Sequence, residues 1–405
     1  MVKHRQTTEQ SHIYRIGRFE LDIARIELRD GYDVLPIQPL VFKVLQYLVE
    51  RRGRVVSKEE LFNDIWPQRI VTESTLTTRI KAARKLLGDD GQTQRMIRTV
   101  HGRGYQFVGP VEIDRHSVVP KPEERVSVRF ITVRGGVKLA ATESGSGPPL
   151  VKVANWLTHV EKDVDSPIWG HWVRDLSRRH RYIRYDSRGC GLSDRGLSGM
   201  LVNDIDLWVD DLKRVVDALG HERFSLLGLS QGGPVAVAFA ARYPQRVDHL
   251  ILHGCYARGM NRRGDAVQMS QAGLQVELAK VGWALPDNRF VELFTKQMAP
   301  DAGPQEVRWF NELQRTTCDG ETAAQLEAAM HDVDITELAK MVRAPTIVTH
   351  GVGDMAVPFE EGRRLASAIP GAEFLPLQTK NHVMLRNDSS WQGFIDAVER
   401  FTAER

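Results

Sequence analysis

The residues best suited to chemistry lie in the C-terminal half of the chain, and the first of them is a serine. Ser230 is the middle residue of the string GLSQG at 228–232, which follows a short apolar run and precedes a helical stretch. A sharp strand-to-helix turn strains the serine and exposes its hydroxyl, while flanking glycines leave room for the crowded backbone. The helix N-terminus then points at any oxyanion that develops. The pattern is typical of a serine nucleophile.

A serine nucleophile needs a base, and the base needs a group that orients it. Asp354 follows a buried strand at 346–348, and His382 follows a later strand. Taken singly, Asp354 could be an ordinary loop carboxylate, and His382 an ordinary surface or core histidine. Their order after Ser230 favours a Ser-Asp-His triad over those readings.

The elements around these residues alternate between strands and helices. Short β-rich apolar runs occur at 181–185, 224–229, 249–252 and 346–348, with helical stretches between them. This alternation predicts a parallel sheet wrapped by helices. Residues 258 to about 335 break the alternation because they are mostly helical. We therefore interpret them as an insertion over the sheet.

A second motif lies after a central strand, where YDSRGCGLSD at 185–194 matches the pattern D-x-R-G-x-G-x-S. With the GLSQG turn, it makes residues 128–405 resemble the α/β-hydrolase superfamily. The resemblance implies a mostly parallel, doubly wound sheet with a helical cap at about 258–335. We interpret the 185–194 stretch as a structural brace for the active-site loops.

The same resemblance implies roles for individual residues. Ser230 would be the nucleophile, His382 the general base and acid, and Asp354 the group that fixes the imidazole tautomer. The oxyanion hole would use the backbone N–H groups of Trp156 and Gln231. The loop before Trp156 contains Asn155 where the superfamily usually has glycine.

The first 110 residues predict a different domain. Residues 13–35 contain short strands joined by polar turns. Three helical patterns follow, at about 40–51, 57–66 and 72–87. Ser57 and Glu60 form a capping box that starts the second helix. Two short strands around a basic, glycine-containing turn at 96–108 complete a winged helix-turn-helix with an α+β fold.

The third helix carries an apolar face made by Leu76, Ile80, Ala83 and Leu87. With the strings IKAARKLLGD at 80–89 and RTVHGRGYQF at 98–107, the region resembles the OmpR/PhoB-type winged-helix DNA-binding domain of bacterial transcription regulators. The resemblance implies that this helix enters the major groove of double-stranded DNA and that the wing reaches the minor groove or backbone. The expected contacts are Thr75, Thr78 and Arg79 at bases, Lys81 and Arg84 at phosphates, and His101 and Arg103 on the wing. Operators for this domain usually repeat half-sites, so we expect a homodimer on DNA.

Charge and composition divide the chain in the same way. Residues 1–110 hold 19 Lys and Arg against 13 Asp and Glu, whereas the rest holds 36 against 39. This asymmetry suggests a polyanion-binding head on a nearly neutral body. Residues 111–127 contain Pro120 and Pro122 among charges and predict a semi-rigid linker. The predicted domains are therefore 1–110 and 128–405.

Composition also excludes several classes of protein. Apolar residues make up 42% and charged residues 26% of the 405 residues, which excludes disordered and repetitive architectures. The longest nearly unbroken apolar run, 234–241, is too short to span a membrane, so we expect a cytoplasmic protein without membrane association. Three cysteines without C-x-x-C spacing indicate neither a disulfide framework nor a zinc site. We expect no metal and no cofactor.

These observations favour a one-component transcription regulator whose hydrolase-like domain senses a small molecule and hydrolyses it slowly or not at all. A fast enzyme would destroy its own signal. The alternative is an active serine hydrolase of an ester, thioester or lactone, with a DNA-binding head that localises it or represses its own operon. A third reading is a non-acyl reaction on the same fold, because fold does not fix chemistry.

Overall fold

The computed structural model describes residues 13–23, 27–30, 33–66, 72–114, 127–156, 159–196, 204–283 and 289–403. The chain divides into two units between Arg125 and Val126. Each unit has its own cluster of buried apolar side chains. Separate cores are typical of separately folded domains.

The N-terminal unit combines short antiparallel strands with three helices. In chain order its elements are β1 (Ile13–Ile16), β2 (Phe19–Asp22), β3 (Glu27–Asp30), β4 (Asp33–Leu35), α1 (Pro39–Glu50), β5 (Val56–Ser57), α2 (Lys58–Ile65), α3 (Glu73–Leu86), β6 (Ile97–Val100), β7 (Gly104–Phe107) and β8 (Glu112–Asp114). One sheet has the strand order β4-β3-β2-β1-β8, and a second has the order β5-β7-β6. The hairpin β6–β7 is the wing, so the winged helix-turn-helix fold predicted from the sequence is present.

Local sequence explains the helices of this unit. The Ser57 hydroxyl accepts a hydrogen bond from the Glu60 N–H at 3.1 Å, which caps α2 as predicted. Helix α3 buries the apolar face that its sequence predicts. That face packs in the core shared with α1 and the hairpin.

The predicted linker begins too early. Strand β8 pairs antiparallel with β1, with Tyr14 opposite Ile113, so residues 112–114 belong to the N-terminal unit. The error has a physical reason: β8 is a three-residue edge strand, and its alternation is too short to separate from a loop. The prolines of the predicted linker, at 120 and 122, lie outside the described residues.

The C-terminal unit is a sheet with helices on it. In chain order its elements are β9 (Arg129–Thr132), β10 (Lys138–Ser144), β11 (Pro149–Lys152), α4 (Gly170–Leu176), β12 (Arg181–Tyr185), α5 (Ile205–Ala218), β13 (Phe224–Leu229), α6 (Gly232–Arg242), β14 (Val247–His253), α7 (Ala266–Gly282), α8 (Arg289–Met298), α9 (Pro304–Thr317), α10 (Gly320–Asp332), α11 (Thr336–Ala339), β15 (Thr346–Gly351), α12 (Phe359–Ala368), β16 (Glu373–Leu377) and α13 (Trp391–Ala403). The strand order is β16-β15-β14-β13-β11-β12-β10-β9. Strand β10 runs antiparallel to both neighbours, and the remaining pairs are parallel.

Burial explains the central elements of this sheet. Every residue of β13 and of β15 is buried, as expected for parallel strands covered on both faces. Helix α6 is buried from Gly232 to Ala241, which accounts for its nearly continuous apolar sequence. Because β13, β15 and β16 are parallel, the segments after their carboxyl ends meet at one edge of the sheet.

Helices α7 to α10 lie between β14 and β15, where the sequence analysis places the cap. An antiparallel bridge between Arg258 and Asp334 joins the two ends of this insertion. The three cysteines, Cys190, Cys255 and Cys318, are free and buried.

Candidate active site and candidate DNA interface

Ser230 lies in a strained turn between β13 and α6. Its φ angle is +50°, in the left-handed region that costs a non-glycine residue about 1 to 2 kcal/mol. A Cβ on Gly228 would lie 2.8 Å from the Gly233 Cα, and a Cβ on Gly233 would lie 2.3 Å from the Cys255 Sγ. The Ser230 N–H donates to the His253 carbonyl at 3.0 Å. Close contacts therefore favour glycine at 228, as the GLSQG pattern predicts, and at 233, outside the pattern. The second glycine of the pattern, Gly232, is less restricted, because a Cβ there would lie 3.1 Å from the Val153 carbonyl oxygen.

The structure brings His382 and Asp354 together. The His382 Nδ1 lies 2.7 Å from the Asp354 Oδ2, and both side chains are buried. The other carboxylate oxygen accepts hydrogen bonds from the N–H groups of Ala356 and Val357 at 2.8 and 2.9 Å. Burial by itself would raise the pKa of Asp354, but His382 and the Val357 N–H hold it below its usual value. The carboxylate is therefore ionised and can fix the imidazole tautomer.

The second ring nitrogen of His382 is available for proton transfer. Its Nε2 is buried and has no hydrogen-bond partner among the described residues. Gly254 packs against the ring: its φ is +59°, and a Cβ there would lie 2.8 Å from the His382 Cε1. Our sequence analysis missed Gly254, although a glycine directly after a buried strand was a signal. Ser230 lies at the same sheet edge and is not hydrogen-bonded to the His382 Nε2. The Asp354–His382 pair itself fits the base and orienting group that a serine nucleophile needs.

Two further histidines flank the pair without serving as acid–base candidates. The His350 Nε2 lies 3.0 Å from the Val357 carbonyl oxygen and 3.6 Å from the Asp354 Oδ2. The His253 Nδ1 lies 2.9 Å from the Thr349 Oγ1. Burial lowers the pKa of both imidazoles, to about 3 for His253. Both rings are therefore neutral and pack around the Asp354–His382 pair.

The two residues predicted to form the oxyanion hole contact each other. The Trp156 N–H donates to the side-chain Oε1 of Gln231 at 3.0 Å. The Gln231 backbone lies at the N-cap of α6, where a helix offers free N–H groups. An oxyanion hole works when its donors are aimed at the position of the developing charge. In this structure, a protein carboxamide already engages one of the two predicted donors.

Asn155 holds the loop before Trp156 in place. The Lys152 ammonium donates to the Asn155 Oδ1, and the Asn155 Nδ2 donates to the Trp156 carbonyl at 3.0 Å. Lys152 is buried, and burial lowers its pKa to about 8. The loop thus uses a side-chain brace at the position where glycine is usual. The sequence signal for Lys152 was a lysine inside a buried apolar strand.

The 185–194 stretch makes contacts of the bracing kind that its sequence predicts. The Asp186 carboxyl accepts hydrogen bonds from the N–H groups of Val160 and Leu192 at 3.0 and 2.9 Å. Burial raises its pKa to about 7. Arg188 and Asp211 form a buried bidentate pair with distances of 2.5 and 2.6 Å. These contacts tie the stretch to α5 and to the segment that follows the oxyanion loop.

A cavity lies between Ser230 and the cap. Its atom-free space is about 480 Å³ including open solvent, of which about 50 Å³ admits the centre of a water-sized sphere. Ser230 and Gln231 line it from the sheet edge, and Phe294 lines it from α8. The Phe294 ring stacks on Trp156 with centroids 6.1 Å apart. Apolar side chains, among them Met260 and Met298, also line it. The polar side chains that line it from the cap side are Tyr256, Arg263, Gln275, Gln297, Glu327 and His331.

In the N-terminal unit, α3 exposes a polar stripe. Ser74, Thr78, Lys81 and Lys85 are exposed and recur at helical spacing. The predicted base-facing residue Thr75 is half-buried, and its hydroxyl lies 3.2 Å from that of Thr72. Our sequence analysis missed Lys85, although its position four residues after Lys81 was a signal. The stripe offers hydroxyl and ammonium groups to a partner.

One predicted phosphate contact is wrong. Arg84 is only 8% exposed. Its guanidinium donates to the Ile97 carbonyl at 2.7 and 2.9 Å and to the Thr99 Oγ1 at 2.9 Å. Arg84 therefore fastens α3 to the first wing strand. The neighbouring Arg79 is half-buried and donates to the Gln38 side chain.

The wing presents two of the predicted residues to solvent. His101 and Arg103 are both exposed in the turn between β6 and β7. Gly104, at the base of the turn, has a φ of +146°, and a Cβ there would lie 2.0 Å from the Val56 carbonyl oxygen. Only glycine fits this contact between the wing and β5. The wing turn and the α3 stripe together form the candidate DNA interface.

Comparison with known families identifies both units. A family model for the C-terminal domain of transcriptional regulatory proteins matches residues 33–107. A model of the α/β-hydrolase fold matches residues 163–317. The chain joins an OmpR/PhoB-type DNA-binding domain to an α/β-hydrolase domain. The hydrolase domain therefore contains Ser230, and the DNA-binding domain contains α3 and the wing.

Several relatives match the chain. It is 26% identical over 267 residues to the AB hydrolase superfamily protein YisY of Bacillus subtilis, which covers 62% of this chain and 91% of that protein. It is 30% identical over 220 residues to a 2-hydroxy-6-oxononadienedioate/2-hydroxy-6-oxononatrienedioate hydrolase of Paraburkholderia phymatum, covering 51% of this chain and 73% of that protein. The enol-lactonase of Burkholderia xenovorans LB400 has a TM-score of 0.56 at 23% identity, covering 68% of this chain and all of that one. The last similarity supports the fold of the α/β-hydrolase domain.

The described residues contain neither a membrane-spanning helix nor a metal-binding cluster. Within them, no helix of either domain is both long and apolar enough to cross a membrane. Nor do their His, Cys, Asp and Glu side chains form a group that could hold a metal ion.

Proposed function

We propose that the protein is a one-component transcription regulator. Its α/β-hydrolase domain binds a small molecule, and the bound molecule changes how the winged helix engages double-stranded DNA. The proposal is supported by a cavity between Ser230 and the cap, in the same chain as a DNA-binding domain. A ligand controls DNA binding only if its affinity differs between two states of the protein. A capped cavity is a suitable place for such a difference.

The observation that carries the sensing proposal is the contact between Trp156 and Gln231. The Gln231 carboxamide engages the Trp156 N–H, and a substrate carbonyl must displace it before the oxyanion can be stabilised there. The Asp354–His382 pair is assembled at the same time. A pocket of this kind favours binding and slow acyl transfer over fast turnover. Slow turnover preserves the signal molecule.

On the DNA-binding domain, we propose that Thr75, Thr78 and Arg79 face bases. Lys81 faces phosphates, and Lys85 takes the place that we first gave to Arg84. The wing residues, His101 and Arg103, are exposed and would reach the adjacent groove or backbone. We further propose that the protein acts in the cytoplasm as a homodimer on repeated half-sites.

The alternative function is an active serine hydrolase of an ester, thioester or lactone. The ionised Asp354 beside His382 favours it, and so do the hydrolase names of relatives. In that case the DNA-binding domain would localise the enzyme or repress its operon.

Steady-state hydrolysis of p-nitrophenyl esters separates the two functions. We expect wild type to turn over about tenfold below the roughly 10 s⁻¹ that is typical of enzymes, and Ser230→Ala to show no activity above the buffer rate. Wild type could instead hydrolyse a simple ester at or above that typical rate, with the activity lost in Ser230→Ala. That result would contradict the sensing function and support an active serine hydrolase.

A further inference from the structure

The cap side of the cavity contains a polar cluster that the triad does not use. We call Tyr256, Glu327 and His331 the cap cluster. All three side chains are buried, and all three line the cavity that contains Ser230. Glu327 and His331 lie one turn apart on α10, with 3.4 Å between the Glu327 Oε2 and the His331 Nε2. The cluster and the nucleophile therefore face the same space.

The described residues do not provide a hydrogen-bond partner for every polar atom of the cap cluster. The His331 Nε2 is buried and has no hydrogen-bond partner among the described residues. Burial raises the pKa of Glu327 to about 8. A buried polar group without a partner costs about 1 to 3 kcal/mol. Such groups in a cavity wall indicate a ligand that completes them.

The cluster is uncharged near neutral pH. Glu327 is protonated there, and burial together with Arg263 lowers the pKa of His331 to about 4. The nearby Arg263 is already held by protein groups. It donates to the Arg258 carbonyl at 2.9 Å and to the Gln268 Oε1 at 3.1 Å, and its Nε lies 3.9 Å from Glu361.

We propose that the cap cluster is the subsite for the far end of the ligand, and that this end carries an uncharged hydrogen-bonding group, either a hydroxyl or a primary amide. The proposal rests on the proposed function, because it places the acyl group of the same ligand at Ser230. A hydroxyl or an amide both donates and accepts, as the carboxyl and imidazole of the cluster require. An ammonium would face the charge of Arg263, and a carboxylate would share Arg263 with Glu361, so neither charged end gains a counter-ion of its own in this buried site.

A matched series of p-nitrophenyl esters tests the subsite. The acyl chains end in a methyl (heptanoate), a hydroxyl (6-hydroxyhexanoate), a primary amide (adipamate), a carboxylate (adipate) or an ammonium (6-aminohexanoate), and shorter and longer chains repeat the series. The burst of nitrophenolate measures acylation of Ser230. We expect the hydroxyl and amide esters to acylate wild type about tenfold faster than the methyl ester, as two net hydrogen bonds allow, and the charged esters to be slower than the methyl ester.

Variants of one residue assign the preference to the cluster. Glu327→Leu should reduce the tenfold preference to less than twofold, while Glu327→Gln, which still donates and accepts, should retain it. Glu321→Gln is the matched control, since Glu321 is exposed on the same helix and the preference should be unchanged. Equal rates for hydroxyl and methyl esters at every chain length, or a preference for a charged ester, would overturn the proposal.

A binding measurement separates this proposal from the proposed function. Thermal shifts of Ser230→Ala with the corresponding methyl esters report the subsite without any chemistry. The hydroxyl and amide compounds should raise Tm more than the methyl-ended compound, and Glu327→Leu in the same background should remove the difference. The hydroxyl and amide compounds could raise Tm more than the methyl-ended compound while no ester changes the DNA affinity. That result would support the subsite and contradict the sensing function. If the difference in Tm is absent, the subsite fails whatever the DNA response.

Discussion

At the scale of single residues, we infer that the Gln231 side chain favours ligand binding over acyl transfer at Ser230. Its backbone lies at the start of α6 beside Ser230, while its side chain engages the Trp156 N–H at 3.0 Å. A net hydrogen bond in a protein is worth about 0.5 to 1.5 kcal/mol. Displacing the carboxamide therefore slows acyl transfer by up to about tenfold, at about 1.4 kcal/mol per factor of ten.

Replacing Gln231 should release this restraint. We expect Gln231→Ala to raise the rate of Ser230 acylation by p-nitrophenyl acetate about tenfold, because the Trp156 N–H becomes free for the oxyanion. Stopped-flow measurement of the nitrophenolate burst gives the rate. Gln231→Glu is the matched control, since a carboxylate at the same reach still accepts from Trp156 and should remain slow. A Gln231→Ala protein that is folded and no faster than wild type would show that the carboxamide does not restrain the site.

Glu327 should make stability depend on pH. Burial raises its pKa from 4.5 to about 8 in the folded protein. Between these two values the folded state holds a proton that the unfolded state has released, so stability falls as pH rises through this window. The facing groups, His331 and Tyr256, stay neutral there because burial lowers the pKa of the first to about 4 and raises that of the second.

Glu327→Gln removes this titration. Its Tm relative to wild type should increase from pH 5 to about pH 8 and then level off, as measured by calorimetry. Glu321→Gln, which alters an exposed carboxylate of the same helix, should show no such trend. A constant difference between Glu327→Gln and wild type across this range would contradict a Glu327 pKa that burial raises.

At the scale of elements, α3 should separate base contacts from phosphate contacts. We expect Arg79→Ala to weaken binding to specific DNA more than binding to random DNA. Lys81→Ala should weaken both and reduce the slope of log K against log salt by about one unit. Fluorescence anisotropy at several salt concentrations measures both effects. Equal losses on the two DNAs for Arg79→Ala would remove that residue from base readout.

Neighbouring residues on α3 should behave in opposite ways. Arg84→Ala removes three hydrogen bonds from a buried guanidinium and should lower the stability of the DNA-binding domain by about 3 kcal/mol. Lys85→Ala replaces an exposed side chain. It should leave Tm unchanged and reduce the salt slope by about one unit. Thermal melting and salt titration of both variants test the assignment, which fails if Arg84→Ala is as stable as wild type.

The elements also show what the sequence can and cannot predict. Ser230, Asp354 and His382 could be placed because each follows a strand and their order matches a known mechanism. The apolar face of α3 could be predicted from its period. The burial of Arg84 could not, because the side chain of a basic residue one position from that face can point to the core or to solvent. Strand β8 was missed because three residues carry too little pattern. The Gln231 and Lys152 contacts depend on side chains that meet across loops, which no local period records.

At the scale of the whole molecule, the two domains divide charge and chemistry between them. The basic excess lies in residues 1–110, with the DNA-binding domain that exposes Lys81, Lys85 and Arg103. The buried titratable groups of the Asp354–His382 pair and the cap cluster lie in the α/β-hydrolase domain. Regulation requires that occupancy of the second domain alters DNA binding by the first. Such couplings are usually about 1 to 3 kcal/mol, or roughly 5- to 150-fold in affinity.

The most direct test of this coupling is the DNA affinity of the full chain before and after a fluorophosphonate fills the pocket at Ser230. An operator fragment selected from random DNA by the wild-type protein serves as the target, and intact mass confirms one adduct per chain. Ser230→Ala, treated in the same way, is the control. We expect stoichiometric labelling of wild type and a change in operator Kd of at least about fivefold, with no change for Ser230→Ala. A fully labelled protein with an unchanged Kd would contradict ligand control of DNA binding.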